Sequence, residues 1–239
     1  GPRARRFGLC GDRTMNEALP RVILFDIDGT LISAGGSGRQ ALERAFEMLY
    51  ARGDACEHFS FAGMTDRAIF REGLRTIGEA AEPAQIDALL SCYLENLAHD
   101  VAQASNFEVH PGVVEMLERL SGSAHMALGL GTGNVEAGAR IKIKRAGLNH
   151  YFDFGGFGCD AEPRAELIAA GARRGAERLG LSLDACRLII VGDTPKDIAA
   201  AHANGGECLA VATGGASFDA LVDAGADLVC NDLCDPKAL

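Results

Sequence analysis

Two carboxylates that could carry chemistry, Asp26 and Asp28, stand two residues apart directly after the apolar run 22–25. Such a run predicts a buried strand, whose end holds side chains in reproducible positions. Carboxylates there can bind Mg²⁺, attack a phosphorus atom or transfer a proton. Gly29 and Thr30 follow, and a glycine at a strand end lets a ligand approach the backbone closely. Because the pattern is short, it predicts this chemistry only where the rest of the chain supplies partners.

Two further apolar runs, 126–130 and 188–191, end in the same way. The residues that follow them are Gly131-Thr132-Gly133-Asn134 and Gly192-Asp193-Thr194-Pro195-Lys196-Asp197. A helical pattern comes next in each case. Three such units indicate a parallel α/β sheet, in which ligands bind beyond the carboxyl ends of the strands.

Phosphoryl transfer needs an in-line nucleophile, a proton donor for the leaving group, and neutralisation of the charge on three oxygens. Asp26 is the predicted nucleophile, since carboxylates form covalent phosphoryl intermediates. Asp28 is the predicted general acid, which then acts as general base for the attacking water. The ordinary alternative for this pair is a polar strand end before a glycine turn.

Asp193 and Asp197 raise the number of predicted site carboxylates to four. Converging carboxylates repel one another, and an oxygen-rich site next to an anionic substrate suits Mg²⁺. We expect Asp26, the Asp28 backbone carbonyl and Asp193 to bind Mg²⁺. Asp197 is either a further ligand or lies just behind the ligands. Alternatively, Asp197 only stabilises the first turn of the helix that follows.

The second motif offers groups that could bind the substrate phosphate. The Thr132 hydroxyl and the helix N-terminus behind it can both hydrogen-bond a phosphate oxygen. Asn134 either binds phosphate through its amide or caps the following helix, and the sequence does not separate these roles. We expect Gly133, Gly29 and Thr30 to contact the substrate as well. The alternative for Thr132 is a plain turn threonine.

The order of the three motifs resembles that of the haloacid dehalogenase-like hydrolase superfamily, from about Arg21 to about Asp232. The resemblance implies the roles given above for Asp26 and Asp28, a Mg²⁺ cofactor, and a doubly wound, Rossmann-like α/β core with a parallel sheet.

The cation of the third motif is the point at which this chain departs from that family. Members use a Lys or Arg, often next to Pro, to steady the nucleophile and the phosphoryl group. The corresponding region, 159–166, offers Arg164, which we predict takes this role. Lys142 and Lys144 on the preceding helix are alternatives, as is a solvated position for all three.

An insertion is predicted between the first two motifs, because Asp26 and Thr132 are 106 residues apart and one βαβ crossover needs far fewer. Helical spacing of apolar residues occurs there at about 38–51, 66–78 and 84–100. We therefore predict a small α-helical cap at 35–107, inserted into a core formed by residues 19–34 and 108–239. Its predicted connections are a flexible glycine-rich linker at 34–38 and a return segment near 103–110.

The motif Gly-x-Thr-Asp at 63–66 resembles the cap loop of phosphoglycolate phosphatase-like members, which dips toward the core site. We expect Thr65, Asp66, Arg67 and Arg39 to contact the substrate, with the arginines meeting an acidic leaving group. In the alternative interpretation, Thr65 or Asp66 caps a helix and Arg67 is solvated.

Composition limits the class of protein. The 239 residues, 48% of them hydrophobic, suit one core with a small appendage. The net charge of −10 argues against nucleic-acid partners, and no apolar run predicts a membrane span. Eight cysteines without a CxxC pair favour free thiols in a reducing, cytoplasmic compartment. Residues 1–18 lack the apolar stretch of a signal peptide, and we expect an unstructured leader or a cleavage remnant.

Together these features predict a Mg²⁺-dependent phosphatase that hydrolyses a small phosphorylated metabolite through an aspartyl-phosphate. A phosphosugar mutase and a haloacid dehalogenase are alternatives on the same fold. Dehalogenation needs neither a second acid nor a metal, so Asp28 and Asp193 weigh against it. A catalytically silent phosphate-binding protein is the alternative from another class. The sequence leaves the oligomeric state and the physiological substrate open.

Overall fold

The sheet that the three motifs predict is present in the computed structural model, which describes residues 19–239. The prediction for residues 1–18 lies outside this part of the chain. In chain order the strands are β1 (Arg21–Phe25), β2 (Ile32–Ala34), β3 (Phe107–Val109), β4 (Met126–Gly131), β5 (Gly155–Gly156), β6 (Arg187–Gly192), β7 (Glu207–Val211) and β8 (Leu228–Cys230). Within residues 19–239, six of them form a parallel sheet in the order β5-β4-β1-β6-β7-β8, and β2 pairs with β3 in a separate antiparallel ribbon.

Helices connect most of these strands, and three of them follow one another between β2 and β3. They are α1 (Ser37–Tyr50), α2 (Asp66–Thr76), α3 (Pro83–Gln103), α4 (Val113–Ser121), α5 (Glu136–Arg145), α6 (Arg164–Arg178), α7 (Pro195–Ala203) and α8 (Phe218–Asp223). Short 3-10 turns lie at Asn149–Tyr151 and Leu183–Ala185. Among the described residues, no helix combines the length and the apolar character needed to cross a membrane.

The central strand β1 contributes to a hydrophobic cluster on each face of the sheet, because alternate side chains of a strand point to opposite faces. Ile23 and Phe25 belong to a cluster that includes residues of α4 and α5. Val22 and Leu24 belong to a second cluster, with residues of α6 and α7. Helices on both faces of a parallel sheet make a doubly wound, Rossmann-like α/β fold, so the predicted fold class is confirmed.

The register of the three central strands brings the motifs together. Phe25 at the end of β1 lies opposite Leu130 of β4 and Val191 of β6. The next residues along each strand therefore leave the sheet side by side, at its carboxyl edge. Asp26, Thr132 and Asp193 are among them.

The helices α1, α2 and α3 share a hydrophobic cluster of their own. Its largest members include Phe46, Phe70 and Tyr93, and the Phe70 ring contacts the other two rings with centroids 5.6–6.1 Å apart. These helices fall inside the predicted insertion at 35–107, which is called the cap below. The exact domain limits stay a prediction.

Two short elements at the base of the cap differ from the sequence expectations. The predicted flexible linker at 34–38 is wrong, because Ala34 ends β2 and Ser37 begins α1. Gly35 and Gly36 form a tight turn between them, with φ angles of 61° and 82° that favour glycine. The ribbon of β2 and β3 was not predicted, since three residues per strand are too few to show a periodicity.

A close contact between α6 and β5 sets the position of Arg164 at the start of α6. Gly156 has no room for a side chain, since a Cβ there would lie 1.9 Å from the carbonyl oxygen of Leu167. Gly171, one turn further along α6, meets the backbone of Gly156 in the same way, with its Cβ position 2.7 Å from the Gly156 nitrogen. The helix can therefore lie directly against the strand.

Gly156→Ala should push α6 away from the sheet and lower the free energy of unfolding by about 1–3 kcal/mol, the usual range for overpacking. Chemical denaturation measures this loss. Gly122→Ala is the matched control, because Gly122 has an ordinary φ of −76° and no atom of residues 19–239 lies within 4 Å of its Cβ position. An equal effect of the two changes would contradict the close packing of α6.

Candidate active site

A cavity of about 500 Å³ lies between the carboxyl edge of the sheet and the cap. Many of the core residues that line it lie in the loops after β1, β4 and β6, as the motifs predict, and others come from β2, α5, α6 and the loop after β7. The predicted residues among them are Asp26, Asp28, Gly29, Thr132, Gly133, Asn134, Lys142, Arg164 and Asp193. The cap contributes Arg39 and Asp66 from the predicted set.

Three buried acids form a group that could hold a metal ion. Asp26, Asp193 and Asp197 each offer a carboxylate oxygen, and these oxygens lie within 4.8 Å of one another. The pKa of Asp26 is raised to about 6 and that of Asp193 to about 8, mainly because both carboxyls are buried and partly because of the negative charges of neighbouring acids. Crowded carboxylates that resist ionisation are a fitting environment for a hard divalent cation such as Mg²⁺.

The loop after β7 forms a wall of this site that the sequence interpretation missed. A Cβ at Gly214 would lie 1.7 Å from Oδ2 of Asp193, so only glycine fits. The neighbouring Thr213 hydroxyl donates to the carbonyl oxygen of Gly29 at 2.6 Å. The signal was present, because Gly214 and Gly215 follow an apolar run in the same manner as the other motifs.

Thr30 is fully buried and supports the acid group from behind. Its hydroxyl donates to Oδ1 of Asp193 at 3.1 Å, which leaves the other carboxylate oxygen facing Gly214. Thr30 does not line the cavity, so a direct contact with substrate stays a prediction.

Asp197 stabilises the first turn of α7 and also contacts Arg164, and its role at a metal ion stays a prediction. Its Oδ2 accepts hydrogen bonds from the backbone and the hydroxyl of Thr194, which completes a capping box at the start of α7. Its Oδ1 accepts from Nε of Arg164 at 2.8 Å. The carboxylate therefore stabilises the helix end and orients the guanidinium group at the same time.

Arg164 lies against the predicted nucleophile. Its Nη2 is 3.0 Å from Oδ2 of Asp26, and the side chain is almost fully buried. Burial by itself would lower the pKa of Arg164, but the charges of Asp197 and Asp26 raise it above its usual value. The guanidinium group is thus a fixed positive charge at the position expected for the third motif, whereas Lys144 is exposed on α5.

Asp28, Asn134 and Lys142 form a hydrogen-bonded group beside the acids. Oδ2 of Asp28 accepts from Nζ of Lys142 at 2.6 Å and from Nδ2 of Asn134 at 2.8 Å. Asn134 also donates to the hydroxyl of Thr132 at 2.9 Å. Its side chain does not cap α5, whose N-cap residue is Val135, so of the two roles left open the capping role is wrong.

The cap loop docks on the second motif through backbone atoms and through the Asp66 carboxylate. The Asp66 amide donates to the carbonyl oxygen of Gly133 at 2.9 Å, and Oδ2 of Asp66 accepts from the Val135 amide at 2.9 Å. A Cβ at Gly133 would lie 2.2 Å from the carbonyl oxygen of Met64. Thr65 caps α2 by accepting from the Ala68 amide at 3.3 Å and does not line the cavity.

The two predicted cap arginines have different surroundings. Arg39 lines the cavity, with its guanidinium group 3.9 Å from the centroid of the Phe61 ring. Arg67 forms an ion pair with Asp87 at 2.8 Å and is not among the lining residues. No sequence pattern indicates that α2 and α3 pair in this way, and the substrate contact of Arg67 stays a prediction.

Tyr93 and His110 line the cavity as well, and the sequence interpretation missed both. Burial raises the pKa of the Tyr93 hydroxyl well above its usual value. Nε2 of His110 is buried without a hydrogen-bond partner among the described residues, and burial lowers the pKa of this imidazole. Tyr93 lies in the apolar pattern of α3, which offers no signal that distinguishes a cavity residue from a core residue.

Asp66→Asn should stabilise the protein at pH 8. Burial raises the pKa of Asp66 to about 6, so the folded protein binds this proton more tightly than the unfolded chain does. The resulting stabilisation is full at pH values below the pKa of unfolded Asp, and it is lost as the pH rises through about 6. The neutral amide avoids this loss. We therefore expect the variant to have a free energy of unfolding on the order of 1–3 kcal/mol above that of the wild type at pH 8, and nearly the same value at pH 4.

Denaturation of both proteins at the two pH values measures the difference. Asp223→Asn, at an exposed position of α8, is the control and should show no such pH dependence. A variant that is less stable than the wild type at pH 8 would contradict the cost assigned to the Asp66 charge.

Comparisons with known proteins agree with this geometry. A family model described as haloacid dehalogenase-like hydrolase matches residues 20–205. The chain is 26% identical, over 192 residues, to a phosphoglycolate phosphatase from Mesorhizobium japonicum, covering 80% of this chain and 82% of that protein.

Solved structures share the fold. A hydrolase from Pseudomonas syringae has a TM-score of 0.67 at 23% identity, covering 90% of this chain and 95% of that one. CbbY from Rhodobacter sphaeroides, in complex with phosphate, has a TM-score of 0.69 at 18% identity, covering 91% and 96%. The family match spans most of the chain, including all three motifs. The protein is therefore a hydrolase, as predicted, and it belongs to the haloacid dehalogenase-like hydrolase family.

Proposed function

We propose that the protein is a Mg²⁺-dependent phosphatase that hydrolyses a small phosphate monoester through an aspartyl-phosphate on Asp26. The observation that carries the proposal is the buried contact of Arg164 with Asp26, 3.0 Å long, within a group of acids suited to a metal ion. A nucleophilic carboxylate, a fixed cation and a metal-binding group are the parts that phosphoryl transfer requires.

The first half of the reaction transfers the phosphoryl group to the enzyme. A carboxylate oxygen of Asp26 attacks phosphorus while the bond from phosphorus to the ester oxygen breaks. Asp28 gives its proton to that oxygen, so that the alcohol leaves in neutral form. Arg164, held by Asp197, neutralises negative charge on the nucleophile and the transferring group.

The second half releases phosphate. Asp28, now ionised, takes a proton from a water molecule, whose oxygen attacks phosphorus and displaces the Asp26 carboxylate. Asp28 is then protonated again and Asp26 is free. Asp26, Asp193 and Asp197 would hold Mg²⁺ together with the Asp28 carbonyl, and the ion would add positive charge next to the phosphate oxygens.

The proposed substrate class is a small phosphorylated metabolite. A cavity of about 500 Å³ under the cap suits a small ester, and the phosphoglycolate phosphatase relative supports the same class. Arg39 lies in the cavity wall, where it could meet an anionic part of the leaving group. The cysteines in the described part of the chain are free, which supports a reducing, cytoplasmic location.

Asp26→Asn should abolish turnover, because an amide cannot form the covalent intermediate. We expect kcat on p-nitrophenyl phosphate to fall by on the order of 10³-fold or more. Stability should not fall, since burial already raises the pKa of Asp26 to about 6 and the amide removes one crowded charge. Steady-state kinetics and thermal unfolding measure the two effects.

Asp153→Asn is the control for this change, because Asp153 is exposed and pairs with Arg178 at the surface. Its activity should equal that of the wild type. An Asp26→Asn protein that keeps a tenth of the wild-type rate would rule out Asp26 as the nucleophile.

Removal of divalent ions with a chelator should silence the enzyme, and an excess of Mg²⁺ should restore it. Without the ion, the site lacks its positive counter-charge. The carboxylates of Asp26, Asp193 and Asp197 then repel one another. Ca²⁺ should substitute poorly, because its larger and more flexible coordination shell holds oxygens less strictly. Phosphate release with each ion measures this, and full activity in the chelator would contradict the metal requirement.

A further inference from the structure

Lys142 is a buried cation that the reaction described above leaves without a role. It lies on α5 and is only 4% exposed. An ammonium group has three N–H donors and no acceptor. Two of them are used inside the site, since Nζ lies 2.6 Å from Oδ2 of Asp28 and 2.7 Å from Oδ1 of Asn134.

The ammonium group determines which way the Asn134 amide faces. Because Lys142 can only donate, the amide must turn its oxygen toward Nζ and its NH₂ group away. Nδ2 of Asn134 then donates to Oδ2 of Asp28 and to the hydroxyl of Thr132. Lys142 thereby orients Asp28 of the first motif and Asn134 of the second.

These contacts distinguish the two oxygens of Asp28. Lys142 and Asn134 both donate to Oδ2, so this oxygen is occupied from two sides. Oδ1 has no hydrogen-bond partner within residues 19–239. Asp28 is half-exposed to the cavity, and Oδ1 is the oxygen that remains available to a leaving group.

The cap covers this arrangement. A Cβ at Gly38, in the first turn of α1, would lie 3.5 Å from Nζ of Lys142, at ordinary contact distance. The helix therefore lies directly over the ammonium group and keeps water from it. Hydrogen bonds in such a shielded place are stronger and more directional than in water.

We propose that Lys142 is a positioning residue of the phosphatase reaction, which holds Oδ2 of Asp28 so that Oδ1 meets the departing oxygen. This inference rests on the proposed function, because it concerns the same general acid. The proton leaves Oδ1 for the ester oxygen as the bond between phosphorus and oxygen breaks.

Two esters that differ in their need for a proton test this role. p-Nitrophenyl phosphate releases a stable phenolate, whereas glycerol phosphate releases an alkoxide unless a proton arrives. Lys142→Met keeps the aliphatic stem and removes the donors. At saturating Mg²⁺ we expect its kcat to fall on the order of 10²-fold on glycerol phosphate, and less than about 5-fold on p-nitrophenyl phosphate.

Two further variants separate orientation from packing. Lys142→Arg keeps a donor group and should recover part of the rate on glycerol phosphate, which a packing defect would not allow. Lys144→Met, on the exposed side of α5, should leave both rates unchanged. Thermal unfolding of each variant shows that the compared proteins are folded.

An equal loss on both esters, or no loss on either, overturns the role of Lys142 while the phosphatase function stands. A Lys142→Arg protein that is no faster than Lys142→Met on glycerol phosphate overturns it too. Wild-type protein that releases phosphate from no ester in the presence of Mg²⁺ overturns the proposed function, and with it this inference.

Discussion

An imbalance of charge beneath the cap governs much of this structure. Within the described residues 19–239, five carboxylates gather there, those of Asp26, Asp28, Asp66, Asp193 and Asp197, and the cations buried among them are Arg164 and Lys142. Charges removed from water are costly unless partners are placed with good geometry. Each cation neutralises different acids, since Arg164 pairs with Asp26 and Asp197 and Lys142 pairs with Asp28. Asp66 and Asp193 form no salt bridge within residues 19–239, and Asp193 lies next to Asp26 and Asp197, which is where a divalent ion fits.

Glycine makes this crowding sterically feasible. At Gly192 a Cβ would lie 2.3 Å from the Asp197 carboxyl carbon, and at Gly214 it would meet Asp193. In this site the glycine backbone therefore lies in direct contact with the carboxylates, and few side chains lie between them. The lack of a side chain at Gly156 likewise allows α6 to pack closely against the sheet. This packing places Arg164, at the start of α6, next to the acids.

The sequence was a good guide where a strand, a glycine and a polar residue follow one another. Asp26, Thr132 and Asp193 are positioned by local geometry and strand register, so their convergence could be predicted. Lys142 and Lys144 were harder to separate, although two residues along a helix point about 200° apart and cannot both face inward. The partners of Asp66 could not be predicted, because the Val135 amide is 69 residues away and meets it only through docking of the cap.

The docking of the cap through main-chain atoms has a consequence for how this family can diversify. Besides the Asp66 carboxylate, the contact is made by the Asp66 amide, the Met64 carbonyl and the Gly133 backbone, and main-chain atoms are present whatever side chains the cap carries. Cavity-facing cap residues such as Leu42, Phe61, Ile69 and Tyr93 take no part in it. These side chains can change during evolution, or be redesigned, without altering how the cap docks on the core. Different residues therefore determine which substrate fits the cavity and how the cap docks on the core.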